Sequence, residues 1–141
     1  MSQAGNFLEN KIAAKLFSGT DFNISNWYGA LVKVPLNTVV EDQDMATLYS
    51  YELDQATHGG YNGRFEIMWE VSENIIKNSN TVQWNATNAW ASSPSHVFVF
   101  DNQNNASGEL LFYAQIPGLP GTILANDVIK LKPNRLTITI E

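Results

Sequence analysis

Residues 95–116, SHVFVFDNQNNASGELLFYAQI, hold two apolar runs on either side of a polar loop. The first run is His96-Val97-Phe98-Val99-Phe100, and the second is Leu110-Leu111-Phe112-Tyr113-Ala114. β-Branched and aromatic side chains suit a pleated surface, so both runs read as strands. The loop at 101–108 is built from Asp, Asn, Ser and Gly. Asn and Asp tolerate positive φ and bond their own backbone, and Gly adopts positive φ without steric cost. The segment is therefore an antiparallel hairpin. Its strands are apolar at successive positions, so both faces must be covered. That puts the hairpin in the middle of a sandwich or jelly roll, away from any edge.

The remainder of the chain supplies more short strands and one helix. Residues 6–17, NFLENKIAAKLF, have helical spacing: Leu8, Ile12 and Leu16 recur every four residues. Asn6 is placed to cap this helix with Glu9 three positions on, and Ser18-Gly19-Thr20 stops it. Three turns are marginal alone, so the stripe is expected to dock, either on its own sheet or on a neighbouring subunit. Strands are expected over 26–34, 46–55, 64–71, 81–84, 128–131 and 135–140. In the 64–71 strand, Phe65, Ile67, Trp69 and Val71 should point inward and Arg64, Glu66, Met68 and Glu70 outward. Residues 35–45 and 85–94 read as loops, and 72–80 as a loop or irregular strand. Seven or eight such strands predict a mainly β fold: an antiparallel, jelly-roll-like β-sandwich with one short N-terminal α-helix. A chain of 141 residues without a linker or repeat is expected to form one domain, 1–141. The expected core includes Phe65, Ile67, Trp69, Val99, Phe112, Leu136 and Ile138.

Composition narrows function mainly by exclusion. There is no cysteine, which removes disulfides, thiolate metal sites and a Cys nucleophile. A net charge of −6 argues against free nucleic acid, whose phosphates need a basic stripe. No apolar run nears the roughly 18 residues that span a bilayer, so no membrane partner is expected. MSQAGNFLENK lacks the basic start and apolar core of a signal peptide, so synthesis and retention in a cytoplasm are expected. Charged residues are only 16%, and sixteen Asn take their place. A surface made polar by amides desolvates more cheaply than a charged one and so suits protein contact.

Chemistry is sparse. His58 and His96 have no metal-site spacing, and no nucleophile-elbow, phosphate-loop, zinc-protease or dinucleotide motif occurs. Carboxylates are plentiful, but nothing selects a glycosidase pair. No catalysis, cofactor or metal is expected. Glu41, Asp42 and Asp44 open an acidic stretch, and no Lys or Arg lies between Val34 and Arg64. The stretch is either a solvated surface or a face for a basic partner or a cation; its spacing does not match a calcium loop. Of the tryptophans, Trp69 and Trp84 read as core. Trp27 opens a strand and Trp90 lies in a loop, where an exposed indole stacks on sugars or anchors an interface. The other reading of Trp90 is a plug folded over the sandwich end. The candidate partner contacts are Leu8, Ile12, Glu41, Asp42, Asp44 and Trp90.

Taken together, several segments resemble a family of small virion proteins of tailed bacteriophages, commonly labelled tail fibre proteins, some of them head decoration or cement proteins. The segments are NFLENKIAAKLFSGT, Tyr28-Gly29-Ala30-Leu31, Gly59-Gly60-Tyr61 with Arg64, Trp84, Trp90, His96-Val97-Phe98-Val99-Phe100-Asp101, Gly108-Glu109-Leu110-Leu111-Phe112-Tyr113 and Leu136-Thr137-Ile138-Thr139-Ile140. The resemblance runs nearly end to end. It departs from the pattern by one extra residue between Tyr61 and Arg64, by the acidity of 35–56 and by Asn126-Asp127. The resemblance implies a β-sandwich virion component without catalytic residues. The expected role is capsid decoration on the virion surface, binding the major capsid protein and copies of itself. The alternative is a tail or fibre component that binds a host-surface glycan.

Overall fold

The computed structural model describes residues 2–19, 27–72, 75–116, 119, 121–133 and 135–139. The hairpin strands β7 (His96–Phe100) and β8 (Leu110–Gln115) lie inside a five-stranded antiparallel sheet. β1 (Ser2–Ala4) flanks β8 on one side. On the other, β2 (Tyr28–Val32) flanks β7 and is followed by the two-residue β3 (Phe65–Glu66). The order is β1-β8-β7-β2-β3, so the apolar hairpin is central, as its two-sided apolarity requires.

Alternation along these strands splits the interior in two. Leu31, Val97, Val99 and Phe112 face a large cluster with Tyr61, Ile67, Trp84, Trp90, Ile129 and Leu136. Ala30, Val32, Phe98 and Phe100 face a smaller one with Val34, Val40, Leu48 and Leu110. The larger face is covered by β4 (Trp69–Ser72), β5 (Ile75–Asn78) and β10 (Thr137–Thr139), which form one antiparallel sheet. The ribbon of β6 (Val82–Asn85) and β9 (Val128–Leu131) covers it too. The smaller face is covered by a 3₁₀ turn, Val40–Asp42, and by the helix α2 (Met45–Ser50).

α2 corrects the strand expected over 46–55. The Asp44 carboxylate accepts from the Thr47 N–H at 2.7 Å and starts a helical turn that buries Leu48. Only the second half of the segment extends: Lys33 N–H donates to the Tyr51 carbonyl and Leu53 N–H to the Leu31 carbonyl, at 2.9 and 3.1 Å. The 64–71 strand is also corrected. It breaks between β3 and β4, where Asn80 accepts from the Met68 N–H and donates to the Glu66 carbonyl. The alternation nonetheless holds from Phe65 to Glu70 and fails only at the two ends, where Val71 is exposed and Arg64 is buried. Phe65 and Trp69 are half-buried against the larger cluster, and Ile67 is fully inside it. Residues 75–78 are a regular strand. The Ile138 backbone pairs with Ile76, and its side chain lies outside the described residues.

The N-terminal helix α1 (Asn6–Ser18) forms where expected, and Gly19 ends it at φ 66°. Its cap is Gly5, not Asn6, and the cap makes no side-chain bond. Gly5 is needed because its N–H reaches the Leu111 carbonyl at 2.6 Å, so close that a Cβ would strike the Leu110 carbonyl. The expected burial of the whole stripe fails. Leu8 is inside, Ile12 is 40% exposed and Leu16 is 74% exposed. The helix packs on β8 and leaves the body towards its C-terminal end.

Candidate protein-docking cleft

Three segments far apart in sequence meet at the open side of the smaller cluster. The start of α1 brings Phe7, the 3₁₀ turn and α2 bring Val40, Met45 and Leu48, and the start of β8 brings Leu110. These form the apolar floor of a cleft of about 240 Å³. Glu41, Asp44 and Glu109 line the same cleft, and no Lys or Arg does. All three carboxylate residues are exposed, as is Asp42 beside them.

Hydrogen bonds hold this rim in place. Asn6 Nδ2 donates to the Glu41 carbonyl at 3.2 Å, and the Tyr113 hydroxyl donates to Glu41 Oε1 at 2.9 Å. Burial, followed by the bond to Glu41, pushes the Tyr113 phenol up to about 12. Asp44 is held below the usual carboxylate value by its bonds to Thr47. The rim thus sets carboxylate side chains beside an apolar floor. That combination suits a cationic side chain with an aliphatic stem. No group of three His, Asp or Glu that could hold a metal ion occurs among the described residues. No helix among them is long and apolar enough to cross a membrane.

The structure brings together Glu41, Asp42 and Asp44, and separates them from the other candidates. Leu8 is core, and Ile12 lies further along α1. Of its two readings, Trp90 takes the plug and not the exposed contact. It is 5% exposed, its indole N–H donates to the Gly59 carbonyl at 2.9 Å, and its ring meets His58 edge-on. Trp84 is equally buried, and Trp27 and Trp69 contact each other and Phe112. Trp84 and Trp90 thus lie in the interior, and Trp27 and Trp69 are half-buried against it.

Sequence reasoning missed Arg64. Its guanidinium pairs with both oxygens of Glu52, donates to the carbonyls of Asn102 and Ser107 at 2.7 Å each, and lies 3.8 Å over the Phe100 ring. This arginine fastens the hairpin loop and takes Glu52 out of the acidic surface. The available signal was a lone cation downstream of a long stretch that has none. Also missed were the exposed apolar side chains Phe17 and Leu36, 89% and 94% exposed.

No curated protein matches the chain. Residues 3–139 match the family model described as Podophage GP4 fiber I protein gp80, and the chain belongs to that family of phage virion structural proteins.

Proposed function

We propose that the chain is a non-catalytic fibre subunit of the phage particle, seated on other virion proteins by direct protein contact. The observation that carries this reading is the cleft of apolar floor and acidic rim, in a molecule whose loop tryptophan, Trp90, is turned inward. A glycan reader needs an exposed aromatic and converging polar groups, and the former sugar platform, Trp90, is an internal plug. The family's printed description as a fibre protein supports the placement. Cross-linking mass spectrometry of intact particles is the test. Cross-links from residues 41–45 or 109 to a virion protein are expected. Binding of the purified chain to a host-surface glycan, with no virion cross-link at the cleft, would overturn the reading.

Capsid decoration is the second reading, favoured by one observation. Exposed apolar side chains occur on several separate elements: Leu16 and Phe17 on α1, Leu36 after β2, Met68 and Val71 near β4, and Leu124 and Val128 near β9. A subunit wedged among several neighbours uses such dispersed contacts, each weak alone and strong in sum. Gel densitometry separates the two readings. A shell-wide decoration protein stands in a simple ratio to the capsid subunit, and a fibre subunit falls far below it.

A further inference from the structure

The chain carries a second charged region that complements the cleft. Residues 128–140 contain Lys130, Lys132 and Arg135, three of the eight Lys and Arg in the protein, and no Asp or Glu. All three cations are exposed, and Val128 beside them is 51% exposed. Asp127, just before this run, is engaged by the Leu124 N–H at 2.9 Å. The run offers both things that complement the cleft: positive charge for its rim and aliphatic surface for its floor.

The two regions are built mainly on different faces of the central sheet. Val40, Leu48 and Leu110 in the cleft floor belong to the smaller cluster. Ile129 and Leu136, which flank the basic residues, belong to the larger one. Most of the cleft floor and the residues flanking the basic run thus pack on different clusters, and only Phe7 of the lining packs on the larger one. We propose that the acid-rimmed cleft receives the 130–135 side of a second copy of this chain in a head-to-tail contact. Lys and Arg stems cover the apolar floor while their heads meet Glu41 and Glu109. The contact joins two different patches, so it leaves one of each free on every pair. Repetition then gives a ring if the rotation closes and a filament if it does not. The inference rests on the protein-docking reading of the cleft and names its occupant.

Sedimentation velocity of the full chain tests it. Association that rises with protein concentration is expected. It should weaken as salt goes from about 0.01 to about 1 M, where the screening length falls from about 30 to about 3 Å. Two charge-reversed variants are compared: Lys130→Glu with Lys132→Glu and Arg135→Glu, and Glu41→Lys with Glu109→Lys. Each should sediment as a monomer with an unchanged far-UV spectrum. An equimolar mixture should associate again, because the anionic faces of one variant meet the cationic faces of the other. Recovery on mixing excludes misfolding as the cause of the loss. A parent chain that stays monomeric up to millimolar concentration, or an association unaffected by either reversal, would overturn the proposal. A monomeric chain that still cross-links through the cleft to another virion protein would overturn the self-contact and leave the docking reading standing.

Discussion

The two faces of the central sheet are closed in different ways. One is sealed by two further sheets and a mesh of rings: Phe65 meets Trp84 at 4.8 Å, and Trp69 meets Phe112 at 5.3 Å. The other is covered by a six-residue helix, a 3₁₀ turn and the buried Arg64–Glu52 pair. Large rings from several strands interlock there. A short helix leans on the sheet and leaves a gap at its end, which is the cleft. The contrast assigns stability mainly to the first face and leaves the second open enough for the docking proposed above.

Truncation tests this contrast most strongly. Phe112→Ala should cost about 3–5 kcal/mol, because the fully buried ring contacts both Trp27 and Trp69. Leu48→Ala on the opposite face should cost nearer about 2 kcal/mol, since α2 beside the open cleft can relax into the space. Urea denaturation of both variants gives the comparison, and equal losses would break it.

A smaller effect is expected along α1. Leu8→Ala should destabilise by about 2 kcal/mol or more, while Leu16→Ala should stay within about 0.5 kcal/mol, as surface changes do. Thermal melts of the two variants decide it. A large loss at Leu16 in the isolated chain would show the helix end packed on the body.

The smallest effect is in pH, and it samples both faces. Tyr61 sits in the larger cluster and donates its burial to that face; its hydroxyl accepts from the Leu31 N–H at 3.3 Å. Burial lifts its phenol well above the usual value near 10. Tyr113 packs on the smaller cluster and is raised to about 12. A phenol whose folded value is raised adds stability that is complete below about 10 and is lost as pH climbs through the folded value. Stability should therefore fall from about pH 10 upward. Tyr61→Phe should flatten that alkaline limb more than Tyr113→Phe, because Tyr61 is the more deeply buried.

The better-sealed face was also the more legible one. Continuous apolar runs at 96–100 and 110–114 announce a two-sided central hairpin without any tertiary knowledge, and the structure places it there. The second face hides its logic. Asp44 looks like one more acid in a loop, yet it caps α2, and Thr47, Leu48 and Tyr49 look like strand residues until that cap turns them. Arg64 fits the outer side of an alternating strand, and only its distant partners, Glu52 and the carbonyls of Asn102 and Ser107, show that it turns inward. The acids of the cleft were visible in sequence. Its floor was not, because it is assembled from residues 5–7, 40–48 and 109–110. Trp90 could be read either way from sequence; the carbonyl of Gly59, thirty-one positions away, decides that it points in.

β1 finds its partner only across most of the chain, with Ser2 opposite Ala114. β2 and β7 are also distant, with Leu31 opposite Val97. Of the contacts in the central sheet, the hairpin alone closes a short loop. Distant pairings must meet the entropy of loop closure before they are rewarded, so a sheet of this kind forms in about milliseconds to seconds rather than microseconds. During synthesis, β1 waits for its neighbour β8, and β2 for its neighbour β7, until residues 96–115 have been made. In that interval they present bare edges to any adjacent nascent chain. β1, three residues long and joined to the sheet through β8 alone, is then the strand most easily exchanged between two copies.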